Sequence, residues 1–231
     1  MPGSSSKGKL TISKWFQQIP NKKTILDVGP GWATYSKMLR KPKQVWHAVE
    51  IHEPYIKRFQ LKKYYDKVFI VDVRKFEPEI TYDVIILGDV IEHMHNKHSI
   101  KVLEKLFKKS RLCIVSLPLD DETHACSENC SDYWHNEHEE HKGAWSNKLF
   151  LKTILDLGGE ILAMEKYQEL GIYLIATTAN NNYITEPITN PLEWFLFHYT
   201  NWYENREEGI INKYKRKIRN KIMRVCYKVD T

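Results

Sequence analysis

Apolar and polar positions along the chain follow two periods. Seven short runs rich in Val, Ile, Leu and aromatic residues, at 24–28, 45–50, 68–72, 82–87, 112–117, 160–167 and 172–178, read as β-strands. Between the first five, apolar residues return every three or four positions. Tyr35, Met38 and Leu39 do so after the first run, followed by the stretches 54–64 and 99–109. Ahead of them, 10–19 predicts a short amphipathic helix with Ile12, Trp15, Phe16 and Ile19 on one side, ended by Pro20. Strands alternating with helices imply a parallel sheet covered on both faces. The last two strands are joined by only a few residues around Leu170 and Gly171, too short for a parallel crossover, so they predict an antiparallel hairpin. The expected fold class is therefore α/β, five parallel strands completed by an antiparallel hairpin, with helices on both faces.

Composition narrows this picture. A chain of 231 residues fits one α/β domain able to bury a core without disulfides or metal. Residues 1–9 read as a disordered leader, 10–180 as the domain, 119–146 as an insertion after the fifth strand, and 181–231 as a C-terminal extension with extra helices. Although 42% of residues are hydrophobic, no apolar run reaches the roughly 20 needed to span a bilayer. The polar start "MPGSSSKGK" has no secretory character, and the four cysteines are scattered, so the expected compartment is reducing and cytoplasmic. The net charge of +6 is concentrated after Ile210, where eight bases face a single acid, leaving the rest of the chain near neutrality.

The chemistry-bearing stretch is "TILDVGPGWATYS", in which a strand containing Asp27 runs through Gly29, Pro30 and Gly31 into a helix. Such a turn lets a ligand approach the backbone closely. A nicotinamide dinucleotide would use G-x-G-x-x-G, but the third glycine position is Thr34. Moreover, a carboxylate at Asp27 would repel a pyrophosphate, whereas it would favour a ligand carrying an ammonium and a sulfonium, as S-adenosylmethionine does. Ligands of open α/β sheets bind beyond the carboxyl ends of the strands. There, Glu50 can accept both ribose hydroxyls of an adenosine, Asp72 with the Val73 backbone can receive the adenine amine, and Gly88 and Asp89 lie towards the reactive end.

Taken together, "ILDVGPG", "HAVEI", "IVDVRKF" and "YDVIILGDVIEHM" resemble the class I S-adenosylmethionine-dependent methyltransferases over residues 22–178. The resemblance implies a Rossmann-like, seven-stranded, mostly parallel sheet and a cofactor held by Asp27, Gly29, Gly31, Glu50 and Asp72, with Ala33 at the third small position of the glycine motif. Within that family the chain is similar to small stand-alone bacterial and phage methyltransferases that carry an acid-x-His segment followed by Trp-Ser after the fifth strand. Glu139, His141, Trp145 and Ser146 match it.

Candidates for a catalytic base are His141, Asp89 and His93; the alternative for Glu92 and His93 is that they cap or anchor the next helix. The 119–146 insertion, with Tyr133, Trp134 and Trp145, has the composition of an acceptor lid. It also gathers His124, Cys126, Cys130, His135, His138 and His141, but the Cys-x3-Cys spacing is not a standard zinc pairing, and no metal is expected. Ile211, Tyr214, Ile218, Ile222 and Val225 describe a cationic amphipathic helix that docks on its own domain or a dimer mate, or meets an anionic partner such as RNA or a lipid surface. The expected activity is methyl transfer to an O or N atom of a small molecule or glycan. The competing reading is an RNA or protein methyltransferase recruited by the basic tail.

Overall fold

The computed structural model describes residues 8–119, 136–167 and 169–177. Residues 1–7 of the expected 1–9 leader, most of the insertion including Tyr133, Trp134, His124, Cys126, Cys130 and His135, and the whole 181–231 extension lie outside the described residues.

Seven strands form a single sheet in the order β3-β2-β1-β4-β5-β7-β6. They are β1 Thr24–Val28, β2 Val45–Glu50, β3 Lys67–Ile70, β4 Tyr82–Gly88, β5 Ser110–Pro118, β6 Glu160–Tyr167 and β7 Leu170–Ala176. β1 to β5 are mutually parallel, and β7 lies antiparallel between β5 and β6. The predicted hairpin is present, and its turn falls just before Leu170. Among the described residues six α-helices accompany the sheet: α1 Lys9–Gln18, α2 Thr34–Leu39, α3 Glu53–Arg58, α4 Leu61–Tyr64, α5 Asn96–Phe107 and α6 Asn147–Asp156.

Strand alternation sorts the side chains to two faces. Leu26 and Val28 of β1 face the larger core, where Val102, Leu103, Leu106 and Phe107 of α5 and Phe150 and Ile154 of α6 pack on the sheet. Ile25 and Asp27 face the other side, towards α1 and α2. There Phe16 of α1 sits 5.7 Å from Trp46 of β2, and Thr11 Oγ1 donates to Glu165 Oε2 of β6 at 2.7 Å. Ile12, Trp15, Phe16 and Ile19, the face predicted for the first helix, are all buried.

Three local expectations change. The predicted helix 54–64 is two short helices, because Gln60 adopts a left-handed φ of 53° that interrupts the helical ladder. β3 ends at Ile70, so Asp72 stands two residues beyond the strand instead of at its tip. Helix α6 had no sequence counterpart; it begins where Ser146 Oγ accepts from the Leu149 N–H at 3.1 Å, and Gly158 follows its end with φ 78°. Among the described residues no helix is long and apolar enough to cross a membrane, and Cys113 is a free buried thiol in β5.

Candidate active site

The strand ends β1, β2 and β4 open onto a cavity of about 380 Å³, within the ordinary range for small-ligand sites. Its lining includes Gly29, Gly31, Glu50, Asp72, Val73, Gly88 and Asp89 from the strand ends, and His93 and His141 at the other side. Of the predicted site residues only Asp27 is absent from the wall.

The glycine turn is shaped by contact as well as by backbone conformation. Gly29 has φ 65° and donates its N–H to Val49 O at 2.9 Å, and a Cβ there would lie 2.8 Å from Val90 Cγ2. Gly88 is as constrained for a different reason, since a Cβ would lie 2.3 Å from the Tyr35 ring. These two glycines let the β1 and β4 ends and α2 close on each other while leaving the cavity open above them. Ala33 carries φ 57° and begins α2, so the third small position tolerates a methyl but not a relaxed backbone.

Asp27 lies behind the cavity wall. Strand parity turns it to the α2 face, where it is 1% exposed and accepts from Tyr65 Oη at 2.5 Å. Its Oδ1 has no hydrogen-bond partner among the described residues. Burial, opposed by the Tyr65 hydrogen bond and reinforced by Glu50, lifts its pKa to about 7. The carboxylate that faces the cavity, where a cationic ligand would meet it, is Glu50. That carboxylate lines the cavity at the end of β2 and accepts from the His52 N–H at 2.8 Å. Burial raises the Glu50 pKa to about 7, with backbone N–H groups of His52, Ile51 and Gly31 pulling it down and Glu139 pushing it up.

Asp72 also differs from the simple picture, because its carboxylate is already engaged. Oδ1 accepts from the Arg74 N–H at 2.9 Å and Oδ2 from Arg74 Nε at 2.7 Å. Although burial raises its pKa, the Arg74 contacts outweigh this and hold it below the usual carboxylate value.

At the opposite end the chain folds back on the short 3-10 turn Ile91–His93. Glu92 O accepts from the N–H groups of Lys142 (2.8 Å) and Gly143 (2.9 Å), and His93 Nδ1 lies 3.2 Å from Glu140 O. A carbonyl can only accept, so Nδ1 carries the proton and Nε2 keeps its lone pair. The same anchoring brings His141 beside His93, ring centroids 4.9 Å apart. Burial and then the neighbouring His141 lower the His93 pKa, so its neutral form is favoured. Glu139, from the same segment, accepts from Tyr55 Oη at 3.1 Å. Asp89 adopts φ 55° and accepts from Ser116 Oγ at 2.9 Å.

Two residues of the matched Trp-Ser segment are structural. Trp145 is 1% exposed and packs edge-on against Phe150 in the core, at 5.7 Å, so it is no part of an acceptor lid. Ser146 is the α6 cap. Glu92 and His93 do not cap α5 either, whose N-cap residue, His95, makes no side-chain capping bond. The residue that sequence reasoning undervalued is Glu92: its carboxylate is buried at the cavity edge, and among the described residues neither oxygen makes a hydrogen bond of good geometry. The signal was its place beside His93 in "GDVIEHM", but nothing local says that His141 arrives next to both.

No protein-family model matches the sequence, and no curated protein matches it. Solved structures do resemble the chain. The N-terminal domain of EvdMO1 with S-adenosylhomocysteine bound is 13% identical, covers 77% of this chain and 83% of its own, with a TM-score of 0.56. An S-adenosylmethionine-dependent methyltransferase from Clostridium acetobutylicum is 15% identical over 74% of this chain and 90% of its own, TM-score 0.56. Magnesium protoporphyrin IX methyltransferase from Synechocystis with bound S-adenosylmethionine is 15% identical over 73% and 77%, TM-score 0.54. By this likeness, and with its seven-stranded sheet ending in an antiparallel hairpin, the chain has the fold of the class I S-adenosylmethionine-dependent methyltransferases.

Proposed function

We propose that the protein is an S-adenosylmethionine-dependent methyltransferase acting on an O or N atom of a small molecule or glycan. The observation that carries this reading is Glu50, a buried carboxylate at the end of β2 that faces the cavity beside the glycine turn. A carboxylate there accepts both hydroxyls of a ribose, as a dinucleotide site would also require. The Thr34 position and the acidic rim then favour a cationic nucleoside over a pyrophosphate.

S-adenosylmethionine, when bound, supplies an activated methyl group whose leaving group is a neutral thioether. The chain's own contribution is placement. The backbone at Gly29 and Gly31 approaches the cofactor's amino-acid end, Glu50 fixes the ribose, and Asp72 with Val73 borders the adenine. Asp89, His93 and His141 then flank the acceptor. Holding nucleophile and carbon in line accounts for several of the roughly 7–11 kcal/mol that orientation can contribute. A hydroxyl acceptor must also lose its proton, and His93 Nε2 and His141 are the nitrogens placed to assist. The cavity's volume and its lining by His138, Glu139, His141 and Lys142 favour a compact acceptor.

The test is incubation with methyl-labelled S-adenosylmethionine and panels of small hydroxyl, amine and sugar acceptors. Label in one of these classes is expected, and His141→Ala should abolish it while leaving S-adenosylhomocysteine binding intact. Turnover retained in His141→Ala would remove His141 from the mechanism, and label appearing only in RNA or protein would overturn the acceptor class.

A further inference from the structure

Glu92 poses a physical problem that the methyl-transfer reading leaves unsolved. Its side chain is 1% exposed and, among the described residues, its own backbone N–H and the His93 ring, at 4.0 Å, come near the carboxylate, neither within good hydrogen-bond geometry. A buried ionised carboxylate without a partner costs several kcal/mol. Protonation does not remove the difficulty, since the resulting O–H would also need an acceptor, and Asp89 and Glu139 add negative charge nearby.

The neighbours supply an answer. One ligand atom each from Glu92, His93 and His141 lie within 4.8 Å of one another. His93 Nε2 and Glu92 Oε1 are 4.0 Å apart. Two atoms bonded to one ion at about 2.0–2.2 Å sit some 3–4 Å apart, so closing the set needs side-chain adjustments of about 1 Å. His93 is already prepared as a ligand: its Nδ1–H points to Glu140 O, the outer hydrogen bond that metal-bound imidazoles ordinarily make, leaving Nε2 available. The backbone also builds the arrangement, because the two hydrogen bonds to Glu92 O hold the Lys142–Gly143 segment, and with it His141, against the turn that bears the other two groups.

We infer that Glu92, His93 and His141 bind one divalent transition-metal ion at the acceptor end of the cavity. Two imidazoles and one carboxylate suit zinc, iron, cobalt or nickel more than magnesium or calcium, which take oxygen-rich sets. Three protein ligands leave a coordination position for an exogenous oxygen. Binding of the ion stands independently of the cofactor; its role in the reaction rests on the methyl-transfer reading. An acceptor hydroxyl on the ion becomes more acidic and releases its proton to solvent. Its oxygen then forms the new bond to the methyl carbon as the carbon–sulfur bond breaks and that electron pair returns to sulfur. The histidines then serve as ligands and need not take up the proton.

The experiment uses the full chain, treated with chelator and dialysed, titrated with Co²⁺ and followed by visible absorption. Expected are ligand-field bands that saturate at one equivalent, without the near-ultraviolet charge-transfer band of a cysteine ligand. Glu92→Gln and His141→Ala should each weaken binding by more than about 100-fold, beyond the 10–100-fold typical of outer-shell losses. The double variant Cys126→Ser with Cys130→Ser should bind as the parent does. S-adenosylhomocysteine binding measured on every variant reports separately on the fold and on the cofactor site, and His141, which is only partly buried, provides a test should Glu92→Gln misfold. Absence of a one-equivalent transition, undiminished binding in His141→Ala, or loss of binding in the cysteine variant would each overturn the site.

Discussion

Gly29→Ala tests the geometry of the ligand cradle through a methyl group. Two costs follow from the structure. The backbone at φ 65° is left-handed, which disfavours an alanine by about 1–2 kcal/mol. The added Cβ would also meet Val90 Cγ2 at 2.8 Å, while the next nearest atoms, Val90 Cγ1 and Cβ, lie at 3.9 and 4.0 Å. Overpacking of this kind costs about 1–3 kcal/mol. The sum, about 2–5 kcal/mol, corresponds to a fall in Tm of some 4–20 °C for a domain of this size. Because one methyl carries the whole overlap, Val90→Ala in the Gly29→Ala background should recover the second cost and leave the first. Urea unfolding of parent, both single variants and the double variant gives the coupling energy, expected at about 1–3 kcal/mol in the compensating direction. Costs that add to within about 0.5 kcal/mol would refute the contact between the turn and Val90.

Other consequences follow from the remaining observations. The pKa values of Asp27 and Glu50, raised to about 7, imply that the folded chain without ligand binds more protons than the unfolded chain between about pH 4 and pH 7. Their contribution is therefore fully present below pH 4 and lost as pH rises through 7. Asp27→Asn should flatten that part of the stability profile measured by denaturant titration, and an unchanged slope would contradict the burial assigned to Asp27. Ser146→Ala should cost about 0.5–2 kcal/mol of stability through loss of the α6 cap without changing ligand affinity. Altered affinity would instead place Ser146 at the acceptor.

Much of the fold is legible in the sequence because strand and helix periods are strong where burial is complete. The boundaries of β1, β2 and β6 coincide with the predicted runs, since turns bound each of them closely. The break at Gln60 and the left-handed residues Ala33 and Asp89 are not legible, because none of them is the glycine that normally marks such a conformation. α6 went unread because it adjoins the insertion, whose polar composition masked the capping Ser146. For the site, Glu50, Gly88 and Asp89, which the strand-end rule singles out, line the cavity. The burial of Asp27 is not legible, since strand parity, not proximity to the turn, decides which face a side chain takes, and its partner Tyr65 lies 38 positions away. The same limit applies to Asp72, whose orientation depends on Arg74, and to the meeting of Glu92 and His93 with His141, which only the tertiary fold creates.

In the proposed function, a cationic nucleoside cofactor binds the rim formed by Glu50 and the glycine turn. Isothermal titration of the full chain with S-adenosylmethionine, S-adenosylhomocysteine and NAD measures this directly. The account predicts one-to-one binding of the first two, little for NAD, and a loss of about 3–6 kcal/mol in Glu50→Ala, the worth of two hydrogen bonds to a charged acceptor. Tighter binding of NAD, or affinity for S-adenosylmethionine that survives Glu50→Ala unchanged, would contradict it.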